Sequence, residues 1–257
     1  MKRKVALITG SAKGLGKKTA FDLAEAGIDV VINYKTSKDA AQYTVEKINT
    51  LYDVNAIAVQ ADVSDPNEVD RMVQYIMSTM GSIDILIHNA GPFIAEKLKI
   101  TDISFEQWDL MINGNFKSFF NLVKCIVPIM RNNAWGRVIT IGFDQVHTFP
   151  AWTYRGVYAA AKTGTMSLTK TLAKEEASYN ITFNAVSPGD ISEQNKDKDI
   201  NYETTNGNFK QHEIQREEYG EDISRVIKFL CEEDSGYITG AIIPITGNHN
   251  IVNKHDN

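Results

Sequence analysis

The sequence predicts an α/β domain built on a doubly wound parallel sheet. Three observations carry that prediction. Seven short runs are almost continuously apolar and rich in β-branched residues, they alternate with longer stretches of helical period, and the first strand-to-helix turn is rich in glycine. Strands buried on both faces lose the apolar/polar alternation of a half-exposed sheet and read as unbroken apolar runs. Helices that follow each strand cover both faces, and ligands then bind at the carboxyl ends of the strands, near the point where the strand order reverses.

In chain order the strands are KVALIT, DVVINY, AIAVQA, IDILIH, GRVITIG, ITFNAVS and AIIPIT. The spacing of apolar residues predicts helices near 14–26, 38–51, 66–80, 104–131, 155–178 and 220–232. No internal repeat or linker interrupts the alternation, and 257 residues suit one domain over 1–257. The one break in composition is Ser192 to Glu218, which is polar and rich in Asn and Lys. So long a polar connection in a compact domain is read as a substrate-binding lid over 192–218. The last residues, 251–257, read as a polar tail.

Composition excludes several functions. Lys and Arg total 27 against 32 Asp and Glu, a net charge of −5, which disfavours nucleic acid or an anionic membrane as partner. A small molecule or a carrier protein fits better. Cys125 and Cys231 lie far apart within apolar helical patterns and without His in a ligand spacing, so both are read as reduced core residues and no metal is expected. The apolar run after MKRK stops at Thr9, short of a signal-peptide core, and no run approaches the roughly 18 apolar residues of a membrane span. The expectation is a soluble cytoplasmic protein.

The chemistry starts at TGSAKGLG, Thr9 to Gly16. Gly10, Gly14 and Gly16 let the backbone turn tightly and approach a pyrophosphate, and the helix that opens here directs free N–H groups and its positive dipole end toward phosphate. At the end of the second strand an NAD site places a carboxylate for the ribose 2′-hydroxyl, whereas VVINYKTSK offers Asn33, Tyr34, Lys35 and Ser37. With Lys13 in the glycine turn, this favours NADP(H), the alternative being that both lysines are solvated surface charges. Asp62, after the third strand, suits an adenine amine, and Asn89-Ala90-Gly91, after the fourth, suits close approach of backbone to a cofactor. A turn or helix cap is the plainer use of each.

On the predicted 155–178 helix, Tyr158 and Lys162 stand four residues apart and share a face. An ammonium beside the phenol favours its ionised form, so proton transfer near neutral pH is expected. Tyr158 would then act as general acid toward a carbonyl oxygen as hydride reaches the carbon.

Together TGSAKGLG, ADVS, HNAG, YAAAK and SPGDI resemble, in order and spacing, the short-chain dehydrogenase/reductase family, over about Val5 to Gly247. The chain looks most like the bacterial 3-oxoacyl-[acyl-carrier-protein] reductases. The resemblance implies a Rossmann fold with a seven-stranded sheet, a homotetramer, a carbonyl substrate such as an acyl-carrier-protein thioester in fatty acid biosynthesis, and NADP(H) as cofactor. It makes Tyr158 the proton donor, Lys162 its partner and Asn115 the water-holding residue. Cofactor contacts fall on Gly10, Ser11, Lys13, Gly14, Leu15 and Gly16, on Tyr34, Lys35, Asp62 and Val63, on Asn89, Ala90 and Gly91, on Tyr158 and Lys162, and on Pro188, Gly189 and Ile191.

The sequence departs from the family pattern in places. Where the family has a Ser after the GRVITI strand, this chain has Phe143, which cannot donate a hydrogen bond. Asp144 follows and is the candidate replacement, as protonated donor or as orienting carboxylate, and pteridine reductases look similar in using an Asp there. Gln145, His147 or water are the alternatives. The segment after Pro-Gly reads Ser192-Glu193 in place of the usual Thr. The positions where carrier-protein reductases hold basic residues read Ala134 and Tyr179, with Arg131 and Lys174 nearby. A second hypothesis is therefore a dinucleotide-binding regulatory protein impaired in catalysis. A further substrate class is a pteridine-like or other small ketone. Apolar residues such as Phe119, Phe120, Val123 and Val157 on the two long helices are expected to form the tetramer interfaces.

Overall fold

Side chains on successive residues of β1 (Val5–Ile8) point to opposite sides of the sheet, and both sides are apolar core. Ala6 and Ile8 pack on one side, Val5 and Leu7 on the other. The same division holds along β2 (Asp29–Tyr34), where Val30 and Ile32 face one layer and Val31 the other. This explains the unbroken apolar runs in the sequence. Each fully buried aliphatic side chain contributes about 1.5–3 kcal/mol.

The computed structural model describes residues 3–200, 214, 216–248 and 251–252. With β3 (Ala56–Gln60), β4 (Ile85–His88), β5 (Gly136–Ile141), β6 (Ile181–Pro188) and β7 (Ile242–Ile245), the strands form one parallel sheet in the order β3-β2-β1-β4-β5-β6-β7. The order reverses between β1 and β4, where Ala6 pairs with Ile85, and the crevice at their carboxyl ends is the expected ligand site. Helices α1 (Gly14–Glu25), α2 (Lys38–Leu51) and α7 (Gly220–Cys231) cover one face. Helices α3 (Pro66–Met80), α5 (Ser118–Asn132) and α6 (Gly156–Glu175) cover the other. The predicted fold class is the observed one.

The helix expected over 104–131 is interrupted. A short α4 (Phe105–Ile112) passes into a π turn, Asn113–Lys117, before α5 begins. At Gly114 a β-carbon would run into Pro92, so the turn packs against the loop after β4. π turns widen the helix by one residue and gather at functional sites. This one carries Asn115.

Most of the apolar residues expected at tetramer interfaces are not surface residues. Phe119, Val123 and Val157 are buried within the single chain, because α5 and α6 lay these side chains against their own domain. Phe120 alone of the four is exposed. Both thiols are free, Cys231 buried in the core and Cys125 half-buried. Among the described residues no helix is long and apolar enough to cross a membrane.

Of the expected lid, residues 201–213 and 215 lie outside the described residues. Its start is pinned to α1. Lys17 Nζ meets Asp197 at 2.9 Å, Lys18 Nζ meets Asp199 at 2.7 Å, and Asn195 is buried. Residues 251 and 252 also depart from a polar tail. Val252 is buried beside Phe143, Val146 and Ala159, because an apolar pair gains more against that cluster than in water, and 253–257 lie outside the described residues.

Candidate active site

The glycine turn is held open from both sides. Gly10 and Gly14 have φ of +61° and +57°, a region that only glycine enters without strain. Gly10 N–H donates to Asn33 Oδ1 at 3.2 Å, while Asn33 Nδ2 donates onward to Ala61 O at 3.1 Å. From the other side Asn89 Nδ2 donates to Thr9 O at 2.9 Å, and the Thr9 hydroxyl accepts from the N–H groups of Asn89 and Ala90. A β-carbon on Gly16 would stand 2.7 Å from Asn89 Nδ2 and 2.8 Å from Ser11 Cα. Ser11 is tied to the turn itself through Ile8 O, at 2.7 Å. Among the described residues no side chain caps the start of α1, and its first turn holds no acidic residue, so its N–H groups and positive dipole end stay available for an anion.

Two cavities flank this turn. One, of about 390 Å³, is lined by Gly10, Lys35, Asp62, Val63, Ala90 and Gly91 among others. The other, of about 470 Å³, runs from Lys13, Gly14, Leu15 and Asn89 past Pro188, Gly189 and Ile191 to Phe93, Phe143, Trp152, Tyr158 and Ile251. These cavities bring together most of the residues predicted for the cofactor. Tyr34 is an exception. It is buried with Ala12 and Ala41 in the core and lines neither cavity, since β2 turns it inward and leaves Lys35 exposed at the strand end. Lys35 Nζ lies 2.6 Å from Asp62 Oδ2. The other Asp62 oxygen accepts from the N–H and hydroxyl of Ser64, at 2.9 and 2.7 Å, and the lysine and these bonds hold the carboxyl below its usual range against the opposing effect of burial.

The reacting end is aromatic. Phe143 packs 5.0 Å from Trp152 and 5.9 Å from Tyr158, and Phe93 meets Tyr158 edge-on at 5.1 Å. Among the described residues the Tyr158 hydroxyl has no hydrogen-bond partner. Burial pushes its pKa up to about 12. The expected lowering by Lys162 is therefore corrected. Lys162 Nζ lies 5.8 Å from the Tyr158 ring centre and donates to Ile141 O at 2.9 Å, and its own pKa is lowered by burial to about 8. Desolvation outweighs attraction at that separation.

Asn115 donates both its amide hydrogens, to Pro92 O at 2.9 Å and Met111 O at 3.0 Å, and leaves Oδ1 buried without a partner among the described residues. A β-carbon on Gly91 would touch Asn115 Oδ1 and come within 3.4 Å of Lys162 Nζ. The unpartnered Asn115 oxygen and the Lys162 ammonium thus both stand beside Gly91. The chain matches the family model described as "Enoyl-(Acyl carrier protein) reductase" over residues 10–247. The chain belongs to the short-chain dehydrogenase/reductase family.

Individual relatives agree. The chain is 40% identical to "Putative oxidoreductase YtkK" of Bacillus subtilis (strain 168), over 97% of this chain and 98% of that one. It is 34% identical to the 3-oxoacyl-[acyl-carrier-protein] reductase FabG of Staphylococcus aureus (strain Mu50), over 95% and 97%. A solved structure titled "Structure of putative 3-oxoacyl-reductase from bacillus thuringiensis" superposes with a TM-score of 0.87 at 40% identity, over 97% of this chain and 99% of that one. The protein is an NAD(P)H-dependent oxidoreductase acting on a carbonyl substrate.

In this chain Asp144 is buried but bonded away from Tyr158. Its Oδ2 accepts from Ile251 N–H at 3.0 Å and is 3.5 Å from Gln145 Nε2. Neither Gln145 nor His147 lines the aromatic cavity, and His147 is exposed. Sequence reasoning missed Phe93, Trp152 and Ile251, which do line it. The Trp152 indole N–H is buried and has no partner among the described residues. Only the aromatic content of FPAWTY hinted at such a wall.

Two supports also escaped notice. Arg155 is buried at the start of α6, donates to Ala95 O at 2.8 Å and Glu96 O at 2.6 Å, and lies over Phe93. It fixes the loop that carries Phe93. His88 sits fully buried at the end of β4, and desolvation first, then Lys162, lowers its pKa well below the usual value. Its Nε2 is 2.9 Å from Ser118 Oγ, whose hydroxyl donates to Gly114 O at 2.7 Å. Neutral His88 with Nε2 protonated completes that chain and braces the π turn behind Asn115.

Proposed function

We propose that this reductase uses NADPH to convert a carbonyl to an alcohol, with Tyr158 as general acid and a 3-oxoacyl thioester as substrate class. The observation that carries the reading is a neutral tyrosine hydroxyl, free of hydrogen bonds to the described residues, at the end of an aromatic cavity continuous with the glycine turn. Gly10, Gly14 and Gly16 with the uncapped start of α1 fit a pyrophosphate, and Asp62, Val63, Asn89 to Gly91, Pro188, Gly189 and Ile191 line the path of the dinucleotide. The cofactor, when bound, supplies hydride to the carbonyl carbon.

The side chains then handle the proton. Tyr158 stays protonated through the neutral range and donates its proton as negative charge grows on the substrate oxygen. Lys162 holds a positive charge behind it below about pH 8, and Asn115 Oδ1 with Lys162 holds a water from which Tyr158 is reprotonated. Phe143 offers the substrate oxygen no donor, and the half-buried Trp152 ring shapes the same wall.

NADP(H) is the proposed cofactor because Lys13 and Lys35 are exposed cations at the two places a 2′-phosphate would reach and Asp62 is already held by Lys35. In an oxidation assay with a panel of 3-oxoacyl thioesters and small flat ketones, NADPH supports turnover at least about tenfold better than NADH. The margin narrows with rising salt as the lysine charges are screened. Equal use of NADH would overturn the cofactor assignment, and no turnover with any carbonyl would overturn the reductase reading.

A homotetramer is proposed as the working form. Its support is exposed apolar surface on α4 and α5, where Phe105 is 87%, Trp108 45% and Phe120 51% exposed. Light scattering is expected to give four times the chain mass, and Phe105→Asp with Phe120→Asp to lower it. A monomer at micromolar concentration would reject the assembly. A carrier protein, if one delivers the thioester, would meet Arg131 and Lys174. Arg131 is partly neutralised there by Glu176, at 2.7 Å from its Nε.

A further inference from the structure

The end of the chain returns to the reacting end of the cavity. Asp144 directly follows Phe143 and binds the backbone N–H of Ile251 at 3.0 Å. That bond places Ile251 in the cavity wall beside Phe143, Trp152 and Tyr158. The next residue, Val252, is 1% exposed in a small core of its own with Phe143, Val146, Ala159, Met166 and Ala185. Two anchors of different chemistry, a carboxylate bond and an apolar plug, therefore fix one residue at the cavity wall. The charged lining groups, Lys13, Asp190, Glu193 and Lys196, lie with the glycine turn and the segment that follows β6, so the aromatic end, where Ile251 packs, is the apolar end.

We propose that Ile251 sets the size limit of the substrate pocket, restricting it to carbonyl compounds with a short or flat apolar body, and that Asp144 is the positioning residue that holds Ile251 there. This rests on the reductase reading above. It also gives the buried carboxyl after Phe143 a use. Asp144 does not face the substrate oxygen, and its charge is met by an N–H donor on the far side of the wall. A long acyl chain has no exit where Ile251 stands, whereas a four-carbon 3-oxoacyl group or a single ring fits among Phe93, Phe143 and Trp152.

The test compares 3-oxobutanoyl and 3-oxodecanoyl N-acetylcysteamine thioesters with NADPH. The full chain prefers the short substrate in kcat/KM. Ile251→Ala moves the short-to-long ratio at least about tenfold toward the long substrate, mainly through KM, with the NADPH dissociation constant unchanged. Asp144→Leu moves the ratio the same way, whereas Asp144→Asn, which keeps an acceptor for the Ile251 N–H, retains the wild-type ratio. A carboxyl needed for proton transfer would instead fail as Asn and leave selectivity alone. In parallel, calorimetry with NADP⁺ and the corresponding 3-hydroxyacyl thioesters reads binding without turnover. If binding selectivity shifts in Ile251→Ala while nothing is reduced, the pocket limit stands and the reductase reading fails. Turnover with an unchanged ratio in Ile251→Ala overturns the limit and leaves the reductase reading intact, and failure of either alcohol to bind any form overturns the limit as well.

Discussion

Tyr158→Phe is expected to lower kcat for carbonyl reduction by about 10³-fold, roughly 4 kcal/mol of barrier, with KM little changed. The phenyl ring keeps its contacts with Phe93, Phe143 and Trp152, so the loss isolates the hydroxyl. The pH profile separates Tyr158 from Lys162. In the proposed chemistry both groups act in their protonated forms, so both produce a loss of rate as pH rises, but burial drives their pKa values in opposite directions, to about 12 and about 8. In the free enzyme kcat/KM is therefore flat below about pH 7 and falls tenfold per unit above about 8 as Lys162 loses its proton. Lys162→Met lowers the plateau and removes that limb. A Tyr158→Phe variant within about threefold of wild type would remove Tyr158 from the chemistry, and a limb near 8 that persists in Lys162→Met would assign it to another group.

Gly16→Ala is expected to weaken NADPH binding by about 100-fold or more, roughly 2.7 kcal/mol. The new β-carbon would meet Asn89 Nδ2 at 2.7 Å, Ser11 Cα at 2.8 Å and Gly10 O at 2.9 Å, and two of these belong to the backbone of the turn itself. Relief requires either opening the glycine turn or breaking the Asn89 bonds that hold it to β4. Gly27→Ala is the control. Its φ of +81° makes it strained as well, yet nothing lies within 4 Å of the added carbon. That variant loses about 1 kcal/mol of stability and binds NADPH as wild type. Fluorescence titration of both variants decides the matter, because a Gly16→Ala protein that binds NADPH within about threefold of wild type would show that the turn does not approach the cofactor.

The sequence by itself determined the parallel sheet, since a run such as the VALI of β1 or the VVI of β2, apolar at every position, can only be buried on both faces. It also determined the glycine turn and the Tyr158–Lys162 spacing, because each is a property of a few consecutive residues on one element. What it left open depended on distant parts of the chain. The π turn that aims Asn115 follows from Gly114 fitting against Pro92, and the fate of Phe119, Val123 and Val157 follows from which faces α5 and α6 turn to the sheet. The lowered Lys162 and raised Tyr158 reflect burial, which no local spacing reveals. Asp144 makes the point most directly. Its position after Phe143 suggested a partner for Tyr158, but its carboxylate binds Ile251, 107 residues away in sequence, because only the folded chain brings that N–H within reach.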